Sequence, residues 1–374
     1  MPEKNLNIVT LNVPCPPDYG GIIDTFFRIK YLYDLGVKIH LHCFTYGRPP
    51  ARELESLCES VNYYKRKMGY LRQFSLLPFI VNSRRSDSLF KNLNNNDFPI
   101  LFDGLHTTYL LQDYSLAGRK KFVRLHNIEH DYYISRARHE LNPFRKLYFT
   151  FESFRLRRFE KILSSADALF PVTVSDHSYF NSKYSRSVCI PPFHPFESVG
   201  IRPGSGSYML YHGDLSINEN EEIALILIRD VFSKISHDCI LAGRKPSGRL
   251  RKLVSKHKNI RLVADPDNPE MLDLVTHAHI NIIPAAEPDG FKLKFLFALM
   301  AGRHCIVNRA MVKGPGLSET LSIANNASEM IETAERLMKQ PFTETMIESR
   351  KRIFGSVYDN SSNAKLLISV IFPY

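Results

Sequence analysis

The 374-residue chain contains no tryptophan and only six cysteines. No two of the cysteines lie within a few residues of each other: they are Cys15, Cys43, Cys58, Cys189, Cys239 and Cys305. This scatter excludes a zinc knuckle, a Cys-x-x-Cys redox pair and a disulfide framework, which all need closely or regularly spaced cysteines. We therefore expect a protein of a reducing compartment.

Long apolar runs and a secretory leader are also absent from the sequence. No apolar stretch approaches the roughly 20 residues that a helix needs to cross a bilayer. The first 14 residues form a charged lead into a short strand, which is unlike a signal peptide. The sequence therefore predicts a cytoplasmic protein, with attachment to the inner membrane face left open.

Acidic charge is in the minority, since the net charge is +11. Residues 1–200 hold 27 Lys and Arg against 19 Asp and Glu, whereas residues 201–374 hold 22 against 19. A basic half can face nucleic acid, a membrane surface or an acidic substrate. No RRM, KH or helix-turn-helix signature accompanies the charge, so no nucleic-acid partner is predicted.

Short apolar runs alternate with helical patterns along both halves of the chain. The predicted strands are 7–13, 37–44, 99–102, 121–125, 168–172, 187–190, 208–212, 238–242, 260–264, 279–284 and 305–308. Such alternation is typical of parallel sheets covered by helices on both faces. A stretch rich in Pro, Gly and Ser at 191–207 separates the halves. The sequence predicts an α/β fold of two Rossmann-like, doubly wound domains that face a cleft.

The acidic loop Glu287-Pro288-Asp289-Gly290 is the most informative stretch, because a helical pattern starts directly after it. The carboxylates can accept hydrogen bonds from sugar hydroxyls, while free N–H groups of a first helical turn hold a phosphate. A site that binds a sugar and a phosphate together suits a nucleotide-sugar and predicts a glycosyltransferase. The candidate contacts are Glu287 and Asp289 for the sugar, and Gly290, Phe291 and Lys292 for the nucleotide.

Polar loops also follow strands of the first half. The loop at 14–21 carries Asp18 and the pair Gly20 and Gly21, which would let a ligand approach the backbone closely. The alternative is a plain tight turn, since the spacing is not that of a Gly-x-Gly-x-x-Gly motif. Further candidates end two other predicted strands: His106, His126, Asn127 and Glu129. A histidine there can donate to a sugar hydroxyl or a phosphate, although a lone histidine is more often structural.

Two loops of the second half add candidate phosphate contacts. Gly213 follows the first predicted strand of this half, and Arg244 and Lys245 follow the second. Cations at a strand end can clamp a diphosphate, or they can be solvated charges on a turn. Lys292 lies in the predicted first turn after the acidic loop, whereas Lys294 is expected on a solvated face.

In this order and spacing, the motifs resemble those of GT-B glycosyltransferases. They are most similar to the large retaining group whose donor loop carries two glutamates eight positions apart. The resemblance covers nearly the whole chain and rests on residues 18–21, 124–129, 174–176, 213, 243–244 and 287–302. It implies a hexosyltransferase, common in bacterial cell-surface polysaccharide synthesis, that takes a nucleotide-diphosphate sugar as substrate without a cofactor. It also implies domains at 1–195 and 196–342, with helices in 343–374 crossing back to the first.

The resemblance implies a role for each matching residue. Gly20 and Gly21 would lie near the donor phosphates and the acceptor, His126 beside the donor sugar, and Arg244 at the diphosphate. Asp18, His106, Asn127 and Glu129 would lie on the acceptor side, while Gly213 and Lys245 would join the donor site. The acceptor is expected to be a glycan or a lipid-linked oligosaccharide.

The sequence departs from the family pattern at two places. Counting back from Gly302, the second family glutamate falls on Phe297 and the first on Asp289. In addition, Asp214 and the polar residues 218–220 stand where many relatives have an arginine and a lysine. A catalytically inactive GT-B protein that acts as a binding or partner subunit is therefore the alternative interpretation, and an epimerase or phosphorylase is a third.

The chemistry of the transfer stays open at this stage. The resemblance implies retention of anomeric configuration without a metal, with the donor phosphate accepting the acceptor's proton. Inversion with a side-chain base such as His126, His106 or Asp18 is the alternative. The Asp-x-Asp pattern at 265–267 is interpreted as loop and helix-capping chemistry rather than as a metal site.

Two segments mix cations with aromatic residues, at 63–79 and 136–161. Cationic amphipathic segments bind anionic membrane surfaces, which a lipid-linked acceptor would require. The alternative is a solvated helix face whose aromatic side chains lie in the core.

Overall fold

The computed structural model describes residues 3–286, 291–312 and 320–373, except for the side chains at 70 and 71. The chain forms two compact units. The first runs up to Pro195 and resumes at Tyr358, and the second lies between Phe196 and Val357, with Phe291 assigned to the first.

Strands and helices alternate in both units. The strands are β1 (Asn5–Thr10), β2 (Lys38–Thr45), β3 (Ser60–Lys65), β4 (Ile100–Asp103), β5 (Lys121–Leu125), β6 (Ala168–Pro171), β7 (Tyr208–His212), β8 (Asp238–Gly243), β9 (Ile260–Ala264), β10 (Ile280–Ile282), β11 (His304–Val307) and β12 (Ser322–Ile323). The α-helices are α1 (Gly20–Asp34), α2 (Arg52–Glu55), α3 (Phe79–Asn82), α4 (Asp87–Leu93), α5 (Glu129–Arg138), α6 (Pro143–Phe159), α7 (Val174–Tyr184), α8 (Asn218–Ile226), α9 (Gly248–Val254), α10 (Asn268–His277), α11 (Leu293–Ala301), α12 (Ala327–Leu337), α13 (Glu344–Ile353) and α14 (Asn360–Ile371).

Each unit is built on one parallel six-stranded sheet. The orders are β3-β2-β1-β4-β5-β6 and β9-β8-β7-β10-β11-β12, which are the same Rossmann order. Successive strand residues point to opposite faces, so each strand supplies two cores. In the first unit, for example, Val9 and Phe102 lie in one apolar cluster and Ile8 and Leu101 in another. The predicted fold class is confirmed, with a doubly wound sheet in each unit.

The sequence-based strand assignments miss one edge strand of each sheet. Residues 187–190 form only one isolated bridge, from Ser187 to Leu169, rather than a strand. The edge strands β3 and β12 were not predicted: β3 carries polar residues through its half-buried surface, and β12 has only 2 residues. These two strands lack the continuous apolar run of a buried strand, which is the signal that sequence patterns provide.

The C-terminal helices differ in their positions. Helix α14 buries Leu367 and Ile371 in the same apolar cluster as Ile29 and Leu32 of α1, within the first unit. Helix α13 stays with the second unit, where the buried Arg350 donates to the carbonyl of Leu299 at 3.1 Å. Residues 343–357 therefore do not return with the rest of the C-terminal segment.

Candidate functional site

Both sheets reverse their strand order at a defined position, between β1 and β4 and between β7 and β10. In open α/β sheets, ligands bind outside the carboxyl ends of the strands at such a switch point. The topology therefore directs attention to two places. One follows Thr10 and Asp103 in the first unit, and the other follows His212 and Ile282 in the second.

A fully buried ion-pair network lies at the first switch point. The Asp24 carboxylate on α1 accepts from Arg28 at 2.8 Å and from Arg124 of β5 at 2.7 Å. Asp103, at the end of β4, accepts from Arg28 at 2.8 Å and from Thr25 at 2.6 Å. Burial opposes both charges, but the guanidinium groups nevertheless hold the pKa of each carboxyl below its ordinary value. The network fixes α1 to the strand ends.

His126, a predicted sugar contact, belongs to this network. Its Nε2 lies 3.1 Å from an Asp103 oxygen, while its Nδ1 is 3.9 Å from Asp24. Asp24, Asp103 and His126 are close enough to offer three ligands to one cation. The two carboxylates already neutralise Arg28 and Arg124, however, so they carry no surplus negative charge to attract one. The arrangement fits an oriented histidine rather than a metal centre.

The predicted acceptor-side residues His106, Asn127 and Glu129 lie together beside this network. His106 Nδ1 is 3.9 Å from Glu129, and the Asn127 side chain hydrogen-bonds the same carboxyl. Burial raises the pKa of Glu129 to about 7, and burial together with Arg84 and Arg66 lowers that of His106 well below its usual value. Glu129 therefore exchanges its proton near neutral pH, as a general acid or base must.

Two arginines that sequence analysis did not identify line this cluster. Arg84 is 5% exposed and donates to the carbonyls of Leu11 and Ile80 at 3.0 and 2.6 Å. Burial and the neighbouring Arg66 charge lower its pKa to about 9. Within residues 3–286, 291–312 and 320–373, no carboxylate lies within 4 Å of either guanidinium. The cluster therefore carries positive charge available to an anionic group.

We predict that Glu129→Gln raises thermal stability at pH 8 and leaves it nearly unchanged at pH 4.5. The folded-state pKa of about 7 exceeds the unfolded value, so the native carboxyl destabilises the protein progressively as pH rises between the two. The expected gain at pH 8 is on the order of 1–3 kcal/mol. Thermal unfolding followed by circular dichroism measures it, with the exposed Glu222→Gln as control. Equal stability of variant and wild type at both pH values would contradict the assignment.

The remaining first-unit candidates lie at the start of α1. Gly20 opens the helix, whose N-cap Tyr19 provides no side-chain hydrogen bond, and a β-carbon at Gly21 would meet open space. The first N–H groups of α1 are thus available to a ligand. Asp18 is instead paired with Arg48 at 2.8 Å, which makes it a surface ion pair rather than a ready base.

In the second unit, Gly213 and Gly243 bring two strand ends into direct contact. The Gly213 N–H donates to the Ala242 carbonyl at 3.1 Å. A β-carbon at position 243 would overlap the Gly213 carbonyl oxygen. Only glycine fits there, so the loops after β7 and β8 lie against each other.

Arg244 and Lys245 follow Gly243 and are exposed. Lys245 has a φ of 48°, and its N–H donates to Asp265 at 2.8 Å, which fixes the turn. Asp267 accepts from the N–H of Glu270 at 2.8 Å as the N-cap of α10. Both aspartates of the Asp-x-Asp pattern thus have loop and capping roles, as the sequence analysis interpreted them.

The expectation that Lys294 lies on a solvated face is wrong. Its Nζ lies 3.5 Å from the position of a β-carbon on Gly213 and donates to Asn220 at 2.9 Å. Burial and the nearby Lys292 charge lower its pKa to about 8. No carboxylate lies within 4 Å of Nζ among the residues that the structure describes. Lys294 therefore places a cation at the Gly213 loop, where the sequence lacks the arginine and lysine of many relatives.

His212 and two helix N-termini lie near Lys294. His212, at the end of β7, is buried with a pKa lowered to about 3 by burial, and its Nε2 has no hydrogen-bond partner in the described chain. Its ring meets Phe297 edge-on at 5.9 Å. Helices α8 and α11 both begin near Lys294, and neither has a side-chain hydrogen bond from its N-cap residue. A helix N-terminus of this kind can bind an anion.

The acidic loop itself lies outside the described residues, and so do Glu287, Asp289 and Gly290. Lys292, the N-cap of α11, lies 3.6 Å from Glu219 of α8. The Phe291 ring is 5.9 Å from that of Tyr358. Phe297 packs against Phe196 at 5.4 Å, so this position makes apolar contacts where the family has a glutamate.

The fold matches solved structures over the full chain. Anabaena HepE, crystallised with UDP and glucose, has a TM-score of 0.65 and 11% identity and covers 99% of both chains. TarM has a TM-score of 0.66 at 9% identity, again over 99% of both chains. A variant of S. aureus TarM has been solved in complex with UDP. The trehalose-6-phosphate synthase OtsA has a TM-score of 0.65 at 10% identity over the same share.

This chain has the GT-B fold. No protein-family model matches the sequence. A Klebsiella pneumoniae protein described as an uncharacterized 44.6 kDa protein in the cps region is 24% identical, covering 97% of this chain and 98% of its own length. The two sheets of the GT-B fold place the His126 cluster on one unit and the Lys294 cluster on the other.

Proposed function

We propose that the protein is a glycosyltransferase that moves a sugar from a nucleotide-sugar donor to a glycan or lipid-linked acceptor in cell-surface polysaccharide synthesis. The observation that carries the proposal is Lys294, a half-buried cation at the second switch point that has no carboxylate within 4 Å of its Nζ among the described residues. The GT-B fold, the UDP-glucose complex of HepE and the cps-region relative support it.

In this proposal the second unit binds the donor. Lys294, Arg244 and the N-terminus of α8 would neutralise the diphosphate. His212 Nε2 and the acidic residues at 287 and 289 would contact the sugar or the ribose. Apolar Phe297 leaves the usual ribose contact to another group, and the buried His212, whose ring meets that of Phe297 at 5.9 Å, is a candidate.

The first unit would hold the acceptor. His126, oriented by Asp103, and Glu129, with its pKa of about 7, are placed to contact acceptor hydroxyls. Arg84 and Arg66 favour an acceptor that bears a phosphate, as a lipid-linked oligosaccharide does.

The proposed reaction breaks the bond between the anomeric carbon and the β-phosphate oxygen, and the acceptor oxygen bonds to that carbon. In a retaining, metal-independent reaction, the leaving phosphate takes the acceptor's proton and the cations hold its charge. In an inverting reaction, Glu129 would take that proton instead. The pH profiles of the wild type and of Glu129→Gln separate the two mechanisms. Replacing Glu129 removes a titrating base only if the reaction is inverting.

We predict that a uridine or other nucleoside diphosphate stabilises the protein, and that Arg244→Ala weakens this binding roughly tenfold or more because it removes a charged phosphate donor. Thermal-shift measurements with nucleoside diphosphates of each base measure both the stabilisation and its weakening in the variant. The control is Arg249→Ala, because Arg249 is another exposed arginine of the second unit and lies in α9. If no nucleoside diphosphate stabilises the wild type, the result favours the alternative, an inactive GT-B binding subunit.

A further inference from the structure

Helix α6 carries a row of large apolar side chains on its outer face. Phe144, Leu147, Phe151 and Phe154 are 81%, 69%, 53% and 66% exposed. Their spacing of three, four and three residues places them on one helix face. Phe149 and Leu156 point into the core instead. The alternative that the aromatic side chains of this segment lie in the core therefore fails for Phe144, Phe151 and Phe154. It holds for Phe149, and Tyr148 and Phe159 also pack against the core.

The apolar face continues onto a neighbouring loop. Phe74 is 82% and Leu76 90% exposed. The loop is attached to α6, because Arg155 donates to the Gln73 carbonyl at 2.8 Å and Glu152 accepts from the Phe79 N–H at 2.7 Å. We call Phe74, Leu76, Leu141, Phe144, Leu147, Phe151 and Phe154 the α6 surface.

Positive charge predominates around the α6 surface. Lys146, Arg157, Arg158 and Lys161 are exposed, and no carboxylate lies within 4 Å of them among the described residues. Glu140 is half-buried and pairs with Arg145 at 3.4 Å, and the other two acidic residues of the segment are buried. Glu152 is buried beside Arg155, and Glu160 is buried beside His130. The exposed part of this segment is thus apolar and cationic.

We propose that the α6 surface docks the protein on an anionic lipid bilayer. An amphipathic helix with cations beside its apolar face lies in the membrane interface, with the apolar side chains at the acyl boundary and the cations at anionic headgroups. A second copy fits less well, because a symmetric contact would bring Lys146, Arg157 and Arg158 of both copies together. The inference stands without the proposed function.

Vesicle flotation tests the proposal with the full chain. We expect binding to vesicles of phosphatidylcholine with phosphatidylglycerol, weak binding to phosphatidylcholine alone, and loss of binding at high salt. The triple variant Lys146→Glu/Arg157→Glu/Arg158→Glu should bind the anionic vesicles at least roughly tenfold more weakly. Phe151→Ser/Phe154→Ser should lose most binding as well, because it removes the apolar anchor.

Matched controls lie on the second unit. Arg251→Glu/Lys252→Glu/Lys256→Glu reverses three cations outside the segment, and Ile226→Ser/Leu272→Ser removes apolar side chains that are 47% and 44% exposed. Both should bind like the wild type. Wild-type protein that stays off anionic vesicles, or phenylalanine variants that bind normally, would overturn the proposal. The proposal would also be overturned if light scattering showed a wild-type dimer that only Phe151→Ser/Phe154→Ser dissociates. The α6 surface would then be a subunit interface.

Discussion

Replacing Lys294 by methionine is expected to lower kcat/KM for sugar transfer by about a hundredfold or more. The variant keeps the aliphatic length but removes the cation beside the Gly213 loop. Loss of one preorganised donor to a developing oxyanion costs about this much, because the charge acts in a water-poor site. Initial rates at varied donor concentration, with a lipid-linked oligosaccharide as acceptor, measure the effect.

The same variant should be more stable than the wild type. Burial lowers the pKa of Lys294 to about 8, so the native protein carries an unfavourable buried charge below that pH. The penalty is present in full below pH 8 and fades as pH rises from about 8 toward the unfolded lysine value. Methionine removes it, and the midpoint of thermal unfolding should rise by a few degrees at pH 7.

Donor affinity should also depend on pH in the wild type but not in Lys294→Met. Binding of an anion needs the protonated amine, so affinity should fall as pH rises above about 8, and Lys294→Met should lack this step. Lys292→Met is the control, because Lys292 already faces Glu219 at 3.6 Å and its loss should matter less. Unchanged kcat/KM in Lys294→Met would remove Lys294 from the proposed donor site.

Replacing Asp24 by alanine is expected to destabilise the first unit by about 3–5 kcal/mol. Its carboxylate neutralises Arg28 and Arg124, and it also accepts from the Phe193 N–H at 2.8 Å. Removing it leaves two buried guanidinium groups with only Asp103 to pair with. Denaturant unfolding followed by far-UV circular dichroism measures the loss, since the chain has no tryptophan to report it.

Asp18→Ala is the matched control, because the ion pair of Asp18 with Arg48 is partly exposed and such pairs contribute about 0–1 kcal/mol. The pKa of Asp24 is held below its ordinary value, so its contribution is present above about pH 4 and is lost as pH falls further. Asp24→Ala should therefore differ less from the wild type in acid. A loss no larger than that of Asp18→Ala would show that the network does not hold the unit together.

Much of the candidate site could be predicted because polar residues that follow buried strands stand out in the sequence. His106, His126 and Glu129 all follow β4 or β5, and the structure brings them together. Arg84 could not be found in this way, since it lies beyond a short helix in a segment whose partners, such as Leu11, are distant in sequence. In the sequence, Asp24 and Arg28 have the spacing of an ordinary helical ion pair. Only the folded chain adds Asp103 from β4 and Arg124 from β5 to that pair.

Lys294 shows the same limit in the second unit. Its sequence neighbours suggest a solvated helix face, because α11 begins with two lysines around one leucine. Whether that turn meets solvent or another loop depends on how α11 packs against β7 and α8. The aromatic residues of α6 show the converse, since their spacing fixes that they share a face but not whether that face is covered.

The sequence by itself determined the alternation of strands and helices, and with it two parallel doubly wound sheets. That information is local, because a strand buried on both faces is predominantly apolar. Only the tertiary structure decided which charges are buried, which lack a partner and which apolar face is left uncovered. Those properties arise from contacts between segments far apart in the chain, and no periodicity within one segment encodes them.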